Sequence, residues 1–170
     1  MAFGETISKE ETNCLRITNF ILTVARDVVR KRFDLLYPPS TLETTVQSNW
    51  TKIEELQQRK LITSKQVALL FTQKGEVSAS LDIKTMVVLM TCLTHNCSFE
   101  LPEGADTTLD ADLLRLRWYR TEITYISEVT MEKFETRWYS ISQAVLRLGG
   151  ERYTDVCNQL KTAPLHASDS

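Results

Sequence analysis

From Glu11 to Leu36 apolar side chains recur at helical spacing. Turned by about 100° per residue, Ile17, Phe20, Ile21, Val24, Ala25, Val28 and Leu35 fall on one arc. Leu15, Leu22, Val29, Phe33 and Leu36 widen that arc, leaving a narrow strip of Arg16, Thr23, Arg26, Asp27, Arg30 and Asp34. A helix apolar over more than half its circumference is packed on two sides, so this one is expected at the centre of the fold. Pro38 and Pro39 stop it, because proline lacks the amide hydrogen that the next turn requires.

The same periodicity predicts more helices. Ser40 or Thr41 is the expected cap of a second one, striped by Leu42, Val46, Trp50, Ile53 and Leu56. Thr63 or Ser64 opens a short third bearing Val67, Leu70 and Phe71, and Ser80 or Asp82 a fourth with Ile83, Met86, Val87, Met90 and Leu93. A loop over 96–108 precedes a helix from Leu109 to Tyr125. Thr130 caps the next, whose stripe is Phe134, Trp138, Ile141, Val145 and Leu148, and Gly149-Gly150 close it. A last short helix spans about Tyr153–Leu160. The reading is an all-α chain: one bundle of six or seven helices over 11–162, a flexible N-terminus over 1–10 and a disordered tail over 163–170.

Composition narrows the function classes. The chain has 170 residues, 42% of them hydrophobic and 25% charged, which suits one soluble domain. Twenty basic against 22 acidic residues leave a net charge of −2, which argues against a general nucleic-acid coat or a polybasic membrane binder. Cys14, Cys92, Cys97 and Cys157 are scattered without zinc spacing, and His95 and His166 are the only imidazoles, so free buried thiols and no metal or cofactor are expected. The first six residues hold no basic cluster followed by an apolar core, and no apolar run approaches the ~20 residues of a membrane span. A cytoplasmic location without membrane contact follows as the expectation.

One helix stands apart. On Leu109–Ile126, Leu109, Leu113, Leu116 and Ile123 share a face with Arg120 in its middle, while Leu114, Trp118 and Tyr125 line the opposite side. A guanidinium cannot shed its charge, so on an apolar face it needs a carboxylate or phosphate partner, or must carry its head out to solvent. Both readings stay open. Arg115, three residues after Asp112, suits a surface ion pair. No phosphate loop, GxSxG elbow or HExxH pair occurs.

The string from Asp112 through Arg115, Arg117, Trp118, Tyr119, Arg120, Thr121 and Glu122 to Ile123 resembles the signature helix of the HEPN domain. The branch it is most similar to is that of the DAZ-interacting zinc-finger ubiquitin ligase and related multidomain animal proteins. Asn19-Phe20, Arg32-Phe33-Asp34 with Pro38-Pro39, Leu69-Leu70-Phe71, Ser80-Leu81-Asp82-Ile83 and Leu146-Arg147-Leu148-Gly149 extend the likeness over about 12–160. The resemblance implies a helical bundle that pairs through the motif helix. In active members an Arg, often followed by Asn, and a His four to six residues later form a metal-independent ribonuclease site across the dimer. Transferred onto this chain, the Arg is Arg120, the Asn position holds Thr121 and the His position holds Ile126.

Isoleucine cannot carry a proton, so the expectation is a catalytically degenerate module, not an enzyme. Its expected role is to mediate dimerisation or protein interaction, with itself or a related HEPN domain, in a signalling or ubiquitin-ligase setting. Arg115, Arg117, Trp118, Arg120 and Tyr125 are its candidate phosphate or interface residues. The alternatives are RNA or nucleotide binding without cleavage, or a metal-independent endoribonuclease.

Overall fold

Ser8 starts the first helix, before the expected edge at residue 11. Its hydroxyl accepts from the Glu11 amide at 3.1 Å while the Glu11 carboxylate accepts from the Ser8 amide at 3.0 Å, a reciprocal cap that satisfies two otherwise orphaned donors. The computed structural model describes residues 6–71, 77–93 and 99–165. From that cap a continuous rod runs as α1 (Lys9–Phe20), a π-wound segment (Ile21–Ala25) and α2 (Arg26–Leu36). Thr18 and Thr23 bond back to the Cys14 and Asn19 carbonyls at 2.9 and 2.6 Å, the kind of hydroxyl insertion that accompanies local distortion of a helix.

The remaining helices are α3 (Pro39–Ser48), α4 (Trp50–Gln58), α5 (Ser64–Leu69), α6 (Ile83–Cys92), α7 (Leu109–Glu122), α8 (Met131–Gly149) and α9 (Thr154–Thr162). Counting the rod as one gives eight among the described residues, which are all-α without strands. The extra helix arises at Asn49, where the expected second helix breaks. There the backbone leaves the helical region at φ −113° and ψ 24°, and the Asn49 side-chain amide donates to the Thr45 carbonyl at 2.8 Å beside the backbone bond to the same oxygen. Pro39, not Ser40 or Thr41, begins α3: a proline loses nothing at the first helical position, where its missing amide hydrogen would have had no partner. Thr63, Asp82, Thr108 and Thr130 cap α5, α6, α7 and α8 through their side-chain oxygens.

Helix α6 lies between α2 and α7, and α8 packs across α7 and α1. Its residues Met86 to Met90 are all buried, as befits a helix apolar all round. Phe20, Phe33, Ile53, Leu56, Leu116, Phe134, Trp138 and Ile141 join it in one core. The wide apolar arc of the rod is not fully used: Leu15, Leu22, Leu35 and Leu36 are exposed, and so is Trp50 on α4. The start of α1 is tied to the approach to α8 by two bonds, Asn13 Nδ2 to the Val129 carbonyl at 2.9 Å and the Val129 amide to the Glu10 carbonyl at 3.0 Å.

Cys14 and Cys157 are buried and free, and burial pushes the Cys157 thiol up. Cys92 is buried and disulfide-bonded, which corrects the expectation of free thiols there. His95, Cys97, His166 and most of the tail expected over 163–170 lie outside the described residues. Among the described residues no group of His, Cys, Asp and Glu could hold a metal ion, and no helix is long and apolar enough to cross a membrane.

The end of α8 depends on a missing side chain. A Cβ at Gly149 would lie 2.6 and 2.7 Å from two ring carbons of Tyr153 and 3.1 Å from Val28 Cγ2. Tyr153 is buried and its hydroxyl donates to Asp27 at 2.8 Å, so the ring cannot swing aside cheaply. Alanine's better helix propensity is worth up to ~1 kcal/mol, and overpacking of this kind costs ~1–3 kcal/mol. Gly149→Ala is therefore expected to destabilise in urea titration. A neutral or stabilising result would show that Tyr153 does not press on this turn.

Candidate functional site

Thr108 caps α7 by accepting from the Ala111 amide, and Asp106 in turn accepts from the Thr108 amide and hydroxyl at 3.1 and 2.8 Å. The first turns of α7 then bury a carboxylate. Asp112 is 0% exposed, and Arg147 of α8 grips it with a fork, Nε to Oδ2 and Nη2 to Oδ1, both at 2.8 Å. Arg115 adds Nη1 to Oδ1 at 2.7 Å. Its Nη2 reaches the Glu103 carbonyl at 2.6 Å and also the Asp106 carbonyl. Arg115 is thus 4% exposed and serves as a strut between α7, α8 and the preceding loop. Both expectations for it are corrected: the pair with Asp112 is buried, not superficial, and these donors are spent within the domain rather than offered to a phosphate or an interface.

Arg120 lies half-buried in the last turn, where its Nη1 donates to the Thr124 hydroxyl at 3.3 Å. No carboxylate among the described residues pairs with it. Thr121 is half-buried, and its hydroxyl bonds back to the Arg117 carbonyl at 3.0 Å. Ile126 packs against the core, and its carbonyl accepts from the Cys14 thiol at 3.7 Å.

The opposite side of α7 is open. Trp118 is 39% and Tyr125 81% exposed, with half-buried Leu114, Arg117 and Thr121 beside them. Together with Phe99 from the loop and Glu122, four of these residues line a groove of about 290 Å³. The Arg117 guanidinium sits 4.2 Å from the Phe99 ring centroid, a cation–π contact. Its Nε is buried without a hydrogen-bond partner, and burial lowers its pKa from the ordinary arginine value. Glu122 is not free to answer it, because Arg137 of α8 holds that carboxylate at 2.9 and 3.0 Å.

The sequence-derived candidates therefore separate. Arg117, Trp118, Thr121 and Tyr125 meet in one groove. Arg120 points about 200° round the helix from Trp118, at 100° per residue, Arg115 is internal, and Ile126 turns inward. Phe99 was not foreseeable, since a loop residue carries no periodic signal. Nor was Arg147, whose partner Asp112 is distant in sequence.

Residues 39–170 match the family model described as DZIP3/hRUL138-like HEPN. The stretch begins after the first rod and contains α7 whole. No curated protein and no solved structure matches the chain.

Proposed function

The chain belongs to the DZIP3/hRUL138-like HEPN family, and from that membership we propose that it is a catalytically degenerate module that pairs with a second copy, or with a related HEPN domain, through the open side of α7. The observation that supports the pairing is the exposed aromatic face of Trp118 and Tyr125, on the helix that the HEPN resemblance implies as the pairing element. A two-fold contact would bury this face against itself. A cytoplasmic setting in signalling or ubiquitin transfer belongs to the same proposal.

The lack of catalysis rests on Ile126. Cleavage of RNA without metal needs a group that takes the 2′-hydroxyl proton and another that returns one to the leaving oxygen, each transfer worth typically 10²–10⁴-fold. Thr121 and Thr124 are neutral alcohols and supply neither transfer. Purified protein is expected to leave single-stranded RNA intact in excess EDTA. Cleavage that disappears in Arg120→Ala would contradict the proposal.

One observation favours a second reading. Arg120 lacks an acidic partner among the described residues, as a phosphate contact would require. On that reading RNA binds without being cut, binding falls steeply with added salt, and Arg120→Ala weakens it on every sequence tested. Salt-independent retention, or none, speaks for the pairing module alone.

A further inference from the structure

Away from the aromatic face, two cavities adjoin. One, of about 410 Å³, lies between the end of α2 and the start of α7, and the exposed Leu35 (74%), Leu36 (50%) and Leu109 (47%) border it. The other, of about 210 Å³, lies beside the end of α8 and is bordered by Lys31, Arg32 and Arg152. Arg32, Leu35 and Leu148 line both, so the two form a single trough, apolar at one end and basic at the other. Three large aliphatic side chains left in water along one trough are unusual for a surface that stays bare.

The basic end has charge to spare. Lys31 is shared with Asp27 and the Tyr153 hydroxyl, each at 3.1 Å. Arg32 spends Nε on the Leu148 carbonyl at 2.8 Å, and neither Nη group has a protein partner among the described residues. The Arg152 guanidinium lies 5.2 Å from the Tyr153 ring centroid; it helps Lys31 lower the Asp27 carboxyl's pKa from a distance, without an ion pair to it. Glu151 is exposed beside it, and Asp110 borders the far, apolar end.

We propose that this trough binds a peptide segment of a partner protein, one that presents leucine-like side chains followed by carboxylates. The apolar end takes the aliphatic anchors, and Arg32 and Arg152 receive the acidic residues. The polarity of the trough, apolar at one end and basic at the other, orients the segment. A nucleic-acid strand fits less well, because Tyr153 is buried and covered by Lys31 and Arg152, leaving no open aromatic face on which a base could stack. The trough lies at the N-terminal end of α7, whereas the proposed pairing uses the Trp118 and Tyr125 end.

The test is NMR titration of the intact protein with acetyl-Leu-Leu-Glu-Glu-amide, alongside acetyl-Leu-Leu-Lys-Lys-amide and acetyl-Ser-Ser-Glu-Glu-amide. The first probe should shift the signals of Leu35, Leu109, Arg32 and Arg152, bind more tightly than the lysine control by up to about fivefold for each ion pair lost, and bind more tightly than the serine control because that one lacks the aliphatic anchors. Leu35→Asp and Arg152→Glu alter exposed positions, so folding should survive. Each should weaken the first probe, and Arg152→Glu should reverse the preference toward the lysine probe. Trp118→Glu should leave the titration unchanged, separating this trough from pairing. Equal binding of the Glu and Lys probes, no binding, shifts that map elsewhere, or tighter binding of an oligouridylate at the same residues would overturn the proposal.

Discussion

Asp112→Ala is expected to lower the folding free energy by about 3–5 kcal/mol, the cost of leaving a buried charge without its partner. The carboxylate is fully buried and accepts from both Arg115 and Arg147. Removing it strands the Arg115 guanidinium, which cannot neutralise itself by losing a proton. The damage should spread to the loop before α7, because Arg115 also holds the Glu103 and Asp106 carbonyls. Denaturant titration measures the loss, and amide exchange over 99–108 should quicken with it. Asp112→Asn keeps the size and one acceptor, so it should lose less. A cost below ~1 kcal/mol for the alanine variant would mean that Arg115 escapes to solvent and that this buried network does not hold α7 to α8.

Trp138→Ala is expected to cost about 3–5 kcal/mol as a truncated core aromatic. Trp138 stacks on Phe20 with ring centroids 4.3 Å apart and tilts against Phe134 at 5.3 Å, so it joins α8 to α1. Its indole nitrogen donates to the Cys157 carbonyl at 3.0 Å, which anchors α9 as well. Trp138→Phe should keep most of the packing but leave that carbonyl short of a partner, for a smaller loss. Urea titration of both variants separates the two contributions. Equal losses would mean that the hydrogen bond, not the ring, dominates.

Helix positions and the core were legible because burial imposes a 3.6-residue period, which Phe134, Trp138, Ile141 and Val145 display directly. The same signal misplaced Leu35 and Leu36: a wheel shows which side of a helix is apolar but not where its neighbours end. Trp50 and Trp118 follow core spacing too, yet both are exposed. The break at Asn49, where the backbone leaves the helical region at φ −113° and ψ 24°, leaves no mark on the hydrophobic pattern. At the site, the two-sided character of α7 was visible, and Arg117, Trp118, Thr121 and Tyr125 do share its open groove. What Arg115 does was not visible, because its burial depends on Arg147 and on loop carbonyls that no local spacing announces. Neighbouring arginines of one helix thus end in different roles, decided by tertiary partners.

Pairing of two copies through the open side of α7 is the proposal on which the rest depends. The most direct measurement is light-scattering mass at high micromolar concentration for the wild type and for Trp118→Glu, a substitution at a partly exposed position that should spare the fold. Pairing predicts a wild-type mass twice the 19.5 kDa of one chain and a variant at the single-chain mass. A wild type that remains monomeric, or a dimer that Trp118→Glu leaves intact, would contradict it.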